Sequence, residues 1–109
     1  MNPAIKRNLD TIQTLCRAYG VQRLDLFGSA TSARFDEATS DFDFIVTFAD
    51  TTMPGYLDRY LAFAEALEGA LGRPIDLITE RSIRSPYFRQ AVEESRQPLY
   101  DDRNAPTAA

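Results

Sequence analysis

Residues 27–46 read FGSATSARFDEATSDFDFIV, with Gly28-Ser29 near one end and two aspartates, Asp41 and Asp43, close to the other. The last part of this stretch runs on as DFDFIVTF, residues 41–48, and has the alternation of a β-strand. Side chains alternate across a strand, so Phe42, Phe44, Val46 and Phe48 share one face while Asp41, Asp43, Ile45 and Thr47 share the other. The two carboxylates then point the same way, with Cβ atoms ~6.5–7 Å apart. Held this close, they repel unless one takes a proton or a cation sits between them. A strand interior is most cheaply filled by apolar residues or threonine, so the pair needs a reason. One reason is a bound Mg²⁺; another is a solvated pair that caps the strand's entry.

Working back from this strand, VQRLDLF (Val21–Phe27) is a second strand, and Gly28-Ser29 ends it. Glycine at a strand end lets a phosphate come close to the backbone. The amides that follow, opening a short helical turn over ATSAR, would point N–H groups at an anion, with the Ser29 hydroxyl beside them. The same residues also suit a strand-ending turn with a serine cap. Before this strand, Asn2-Pro3 reads as an N-cap and first-turn proline, and Ile5, Leu9, Ile12, Cys16 and Tyr19 form one face of an amphipathic helix that Gly20 stops.

Working forward, residues 56–71 read as a second helix with Leu57, Tyr60, Leu61, Ala64, Leu67 and Leu71 as its apolar positions, stopped at Gly72. PIDLIT, residues 74–79, is a third strand with Asp76 between Ile75 and Leu77. If it pairs beside DFDFIV with Asp76 on the same face, three carboxylates converge, which suits a two-metal site with ions ~3.5–4 Å apart. Alone, Asp76 is equally an edge-strand charge against aggregation. Ser85-Pro86 opens a third helix carrying Phe88, Val92 and Tyr87 inward, and PLY (residues 98–100) is a final edge strand because of its leading proline. The order of elements predicts an α/β (α+β) domain, a short mixed β-sheet flanked by helices. One domain over residues 1–101 with a flexible tail at 102–109 is expected.

Composition narrows the chemistry. There is no histidine and one cysteine, Cys16, in 109 residues, so a zinc site of the usual nitrogen and sulfur type cannot be assembled. Any metal would be a hard cation on carboxylates, Mg²⁺ or Mn²⁺. A lone cysteine and the absence of an h-region in MNPAIKRNLD fit a cytoplasmic protein. No apolar run approaches the ~20 residues of a bilayer span. The net charge of −4 argues against direct nucleic-acid binding. Asp10, Asp25, Asp36, Glu37, Asp50, Asp58, Glu65, Glu68, Glu93 and Glu94 read as solvated surface. Arg81, Arg84, Arg89 and Arg96 read either as a solvated helix face or as a grip on a partner or nucleotide. Neither GxGxxG nor GxxxxGK[ST] is present.

A hydrophobic-Gly-Ser, eleven residues and then Asp-hydrophobic-Asp-hydrophobic resembles the nucleotidyltransferase superfamily of DNA polymerase beta, the CCA-adding enzymes and the kanamycin nucleotidyltransferases. At this length the chain is similar to the minimal nucleotidyltransferases (MNT), antitoxins of HEPN–MNT toxin–antitoxin pairs. The likeness runs through LFGSA, RFDEATSDFDFIVTF, GRPIDLIT and PYFRQAVEESRQPLYD. Many members have Ala-Arg-Gly after the Gly-Ser; here Ala33-Arg34-Phe35 stands at altered spacing. The resemblance implies the polymerase beta-like core and transfer of AMP from ATP, with pyrophosphate lost, to a tyrosine of a HEPN-type RNase toxin. It implies that Asp41, Asp43 and Asp76 are catalytic and hold two Mg²⁺ ions, Asp76 also helping to deprotonate the acceptor. It implies that Gly28 and Ser29 grip the β- and γ-phosphates. Two other readings stay open: an antitoxin that neutralises by docking alone, and an aminoglycoside-type nucleotidyltransferase.

Overall fold

The structure, a computed structural model, describes residues 2–31 and 41–103. Its elements run α1 (Pro3–Ala18), β1 (Val21–Phe27), a 3₁₀ turn (Gly28–Thr31), β2 (Phe42–Phe48), α2 (Gly55–Leu71), β3 (Ile75–Thr79), a second 3₁₀ turn (Glu80–Ser82), α3 (Pro86–Ser95) and β4 (Gln97–Asp101). The strand order is β3-β2-β1-β4. β1 pairs antiparallel with β2 and with β4, while β2 and β3 are parallel. This is the expected mixed sheet, with the proline-led β4 at one edge and Asp76 on the other edge strand. Among the described residues no helix is long and apolar enough to cross a membrane.

Local chemistry accounts for the helix ends. The Asn2 side chain accepts hydrogen bonds from the amides of Ala4 and Ile5, satisfying two donors that the first turn of α1 leaves unpaired. Ser85 caps α3 in the same way through the Phe88 amide. Gly72 ends α2 in the left-handed region at φ 70°, where an L side chain would be strained. The Tyr60 hydroxyl donates to the Leu77 carbonyl, fixing α2 over β3.

The alternation of β2 sorts the whole molecule. Phe42, Phe44, Val46 and Phe48 are buried with Leu24, Leu26, Ile5, Ile12 and Cys16 in one core beneath α1 and α2. On the opposite face Phe27, Ile45 and Val92 form a smaller buried cluster, with Ile78 and Ile83 against it, so α3 covers that side.

Four expectations need correcting. In α2, Leu57 and Leu61 are exposed, and the buried positions are Phe63 and the expected Leu67, with Tyr56, Tyr60, Ala64 and Leu71 partly buried against the same core. In α3, Tyr87 points to solvent and Phe88 is only partly covered; Val92 is the inward residue. Asp25 is not solvated surface but lies at 0 % exposure in the middle of β1. Its charge is matched: Arg23 donates to both Asp25 oxygens at 3.1 and 2.9 Å, and Arg96 Nε donates at 2.5 Å. Arg96 in turn meets Glu80 at 3.1 Å and Glu93 at 2.5 Å. Burial opposes the Arg96 charge, but the hydrogen bonds to Asp25 and Glu93 outweigh it and hold its pKa above the ordinary value. Arg96 is therefore part of the interior, not of a solvated helix face. Asp102 continues the pairing, its amide donating to the Gln22 carbonyl at 2.9 Å.

Candidate active site

Strand direction sets Asp43 and Asp76 side by side. β2 and β3 are parallel and begin at the same end of the sheet, and Asp43 lies in register with Asp76. β1 runs the other way, so its end arrives there too, with Phe27 in register with Asp43. Phe27, Asp43 and Asp76 therefore form one row across three strands, on the face that carries Ile45 and Ile78 rather than the phenylalanine core. Asp41 stands one residue before β2 and is exposed.

Asp43 is the constrained member. Burial pushes its pKa up to about 6, and the negative charges of Asp76 and then Asp41 push the same way. Among the described residues no arginine or lysine pairs with any of the three aspartates. Their negative charge has no cationic partner among the described residues. An all-oxygen donor set with uncompensated negative charge fits a hard divalent cation. As they stand, no three acidic side chains among the described residues are gathered tightly enough to enclose an ion.

Gly28 borders this row and has φ +76°. A Cβ on residue 28 would lie 2.6 Å from Asp43 Oδ2, closer than side chains tolerate, so a residue without one is required for Asp43 to sit where it does. The Gly28 amide donates to Ser95 Oγ at 3.1 Å, and the Gly28 carbonyl accepts from Thr31 Oγ1 at 2.8 Å. What Gly28 supplies is thus room and backbone direction, its own N–H being taken up by α3. Ser29 follows it, partly exposed, in the 3₁₀ turn. All five residues singled out in the sequence, Gly28, Ser29, Asp41, Asp43 and Asp76, belong to this end of the sheet. Arg34 and Phe35 lie outside the described residues.

Sequence reading missed Ser95 and gave Arg96 a different role. They tie the C-terminal end of α3 to Gly28 and Asp25, and so to the end of β1. A Ser-Arg pair closing a helix carries no signal of that role, because its partners are 67 and 71 residues away.

Comparison with known proteins gives the family. A profile of the nucleotidyltransferase domain matches residues 10–99. The chain belongs to the nucleotidyltransferase family. A Methanocaldococcus jannaschii relative named "Putative protein adenylyltransferase MJ1379" is 40% identical over 76 residues, which cover 70% of this nucleotidyltransferase and 74% of the relative. Two solved structures share its fold. One is a toxin–antitoxin assembly with AMP-PNP, at TM-score 0.66 and 29% identity, covering 86% of this chain and 73% of the matched one. The other is a tri-AMPylated Shewanella oneidensis HEPN toxin in complex with an MNT antitoxin, at TM-score 0.61 and 28% identity, covering 88% and 71%.

Proposed function

We propose that this nucleotidyltransferase is a cytoplasmic MNT antitoxin that moves AMP from ATP onto a tyrosine hydroxyl of a cognate HEPN-type RNase toxin. The observation that carries the reading is the register pairing of Asp43 with Asp76 beside Gly28. It brings two carboxylates and a glycine-led turn to one end of the sheet. The likeness to an AMP-PNP-bound toxin–antitoxin assembly and to an AMPylated HEPN toxin complex supports the donor and the acceptor class.

Asp41, Asp43 and Asp76 would hold Mg²⁺, two ions in the full site. When bound, the metal supplies charge neutralisation for the triphosphate and a lower pKa for the acceptor hydroxyl. The chain's own residues do the rest. Gly28 leaves space for the triphosphate to lie against the backbone, and the 3₁₀ turn from Gly28 to Thr31 directs Ser29 and its neighbours at the β- and γ-phosphates. Asp76 is exposed and on the outer strand, within reach of an incoming macromolecular acceptor. The tyrosine oxygen attacks the α-phosphorus as its proton passes to Asp76. A P–O bond forms to tyrosine, and the bond to pyrophosphate breaks. Catalysis of this kind is positioning and electrostatics.

The test is incubation of the chain with ATP, Mg²⁺ and the purified candidate toxin, followed by intact-mass analysis. Mass gains of AMP on the toxin, absent with Asp43→Ala and mapped to tyrosine, are expected. An unmodified toxin, or equal modification by Asp43→Ala, overturns the reading. If the variant still neutralises the toxin fully in cells, docking suffices for protection.

A further inference from the structure

The proposed site accounts for the phosphates and metal of a bound nucleotide but assigns nothing to its base. Phe88 is placed to supply that part. It sits in the first turn of α3, and 42% of it is exposed although it is a large aromatic residue. Its ring is not loose. It meets the Phe27 ring edge-on, with centroids 6.0 Å apart and planes at 77°. Its amide is capped by Ser85 Oγ. Phe27 precedes Gly28 in the chain and lies in register with Asp43. One edge of the aromatic contact is thus fixed beside both halves of the candidate site.

The helix that carries Phe88 is itself held against the sheet at three places. Val92 is buried against Phe27 and Ile45, Ser95 accepts from the Gly28 amide, and Arg96 pairs with buried Asp25. An aromatic surface kept open while its carrier is fixed is preorganised, so a ligand stacking on it loses little further freedom of the protein.

We propose that Phe88 is the nucleobase platform of this enzyme. The open surface of its ring takes the base of the nucleotide whose phosphates lie along Gly28–Thr31, an assignment that rests on the nucleotide site proposed above. Stacking tolerates any base, because every base has a π-face. Phe88 therefore separates nucleotides from bare polyphosphate rather than one base from another.

The test compares ATP with inorganic tripolyphosphate, each with Mg²⁺, by calorimetric titration of wild type, Phe88→Ala, Phe88→Leu and Phe88→Tyr. Phe88→Ala and Phe88→Leu are expected to weaken ATP about tenfold and to leave tripolyphosphate within about twofold, with Phe88→Tyr close to wild type. Equal weakening of both ligands by Phe88→Ala would assign Phe88 to packing on Phe27 and overturn the proposal. Wild-type ATP affinity in Phe88→Leu would overturn it too, since an apolar contact without a π-face would then suffice. A wild type that binds neither ligand would remove the nucleotide site itself, and the platform with it.

Discussion

Gly28 and Asp43 are fitted to each other across β1 and β2: a β-carbon on residue 28 would stand 2.6 Å from Asp43 Oδ2. Substituting alanine adds backbone strain at φ +76° and drives the carboxylate from its position in the row. The strain costs about 1–2 kcal/mol, which a melting curve reads as a modest loss. The displacement matters more. Misplacement of a reacting group by about 1 Å is enough for a loss of about 100-fold, so Gly28→Ala should melt as a folded protein yet transfer AMP at least that much more slowly. Near-wild-type transfer by this variant would show that Asp43 can move freely.

Asp43 also gives the metal-free protein a characteristic pH dependence. Its carboxyl rises from an ordinary value of 3.8 to about 6 in the folded chain. Below the lower value both states are protonated and the group contributes nothing. Between the two, the unfolded chain releases its proton first, so stability falls as pH rises. Above about pH 6 the penalty is fully present. In chelator, melting temperature should therefore decline through this window in wild type, and the Asp43-dependent part of the decline should vanish in Asp43→Asn. Adding Mg²⁺ at pH 7 should raise the melting temperature of wild type and much less that of the variant, because binding to the folded state stabilises it.

The buried ion pair predicts a third result. Arg96→Met leaves Asp25 at 0 % exposure with Arg23 as its remaining partner. A loss of about 1–3 kcal/mol is expected in denaturant unfolding, the cost of an under-satisfied buried group. Replacing both partners, as Asp25→Leu with Arg96→Met, should recover much of it, since apolar groups of similar volume often replace a buried pair without net loss. A double variant no better than the single one would mean that the pair is held for its geometry.

On α2, the two sides of the helix should respond oppositely. Phe63→Ala removes a fully buried ring and should cost about 3–5 kcal/mol. Leu61→Lys alters an exposed position and should change stability by no more than about 0.5 kcal/mol. Equal losses in chemical denaturation would place Leu61 in the core after all.

The fold was readable because β2 alternates so strictly: its phenylalanines and aspartates separate into core and site by parity alone. The candidate carboxylates stood out for the same reason, being charges where packing wants none. α2 was harder. Its 17 residues are apolar on most sides, and a count begun at Leu57 chooses a different face from one begun at Tyr56, through Tyr60, Phe63 and Leu67. Asp25 was hidden by distance. It has the same strand parity as Phe27, but only α3, folding back from the far end of the chain, covers it and brings Arg96. Ser95 escaped notice likewise.

Because Phe27, Asp43 and Asp76 share one row, the hydrophobic core acts as a proofreader of the candidate site. A slip of β2 by a single residue would turn its four large apolar side chains to the outer face and carry the aspartates inward. A chain with that alignment would lose the buried phenylalanines that hold the sheet together. Burial of the phenylalanines and placement of the aspartates are therefore a single event.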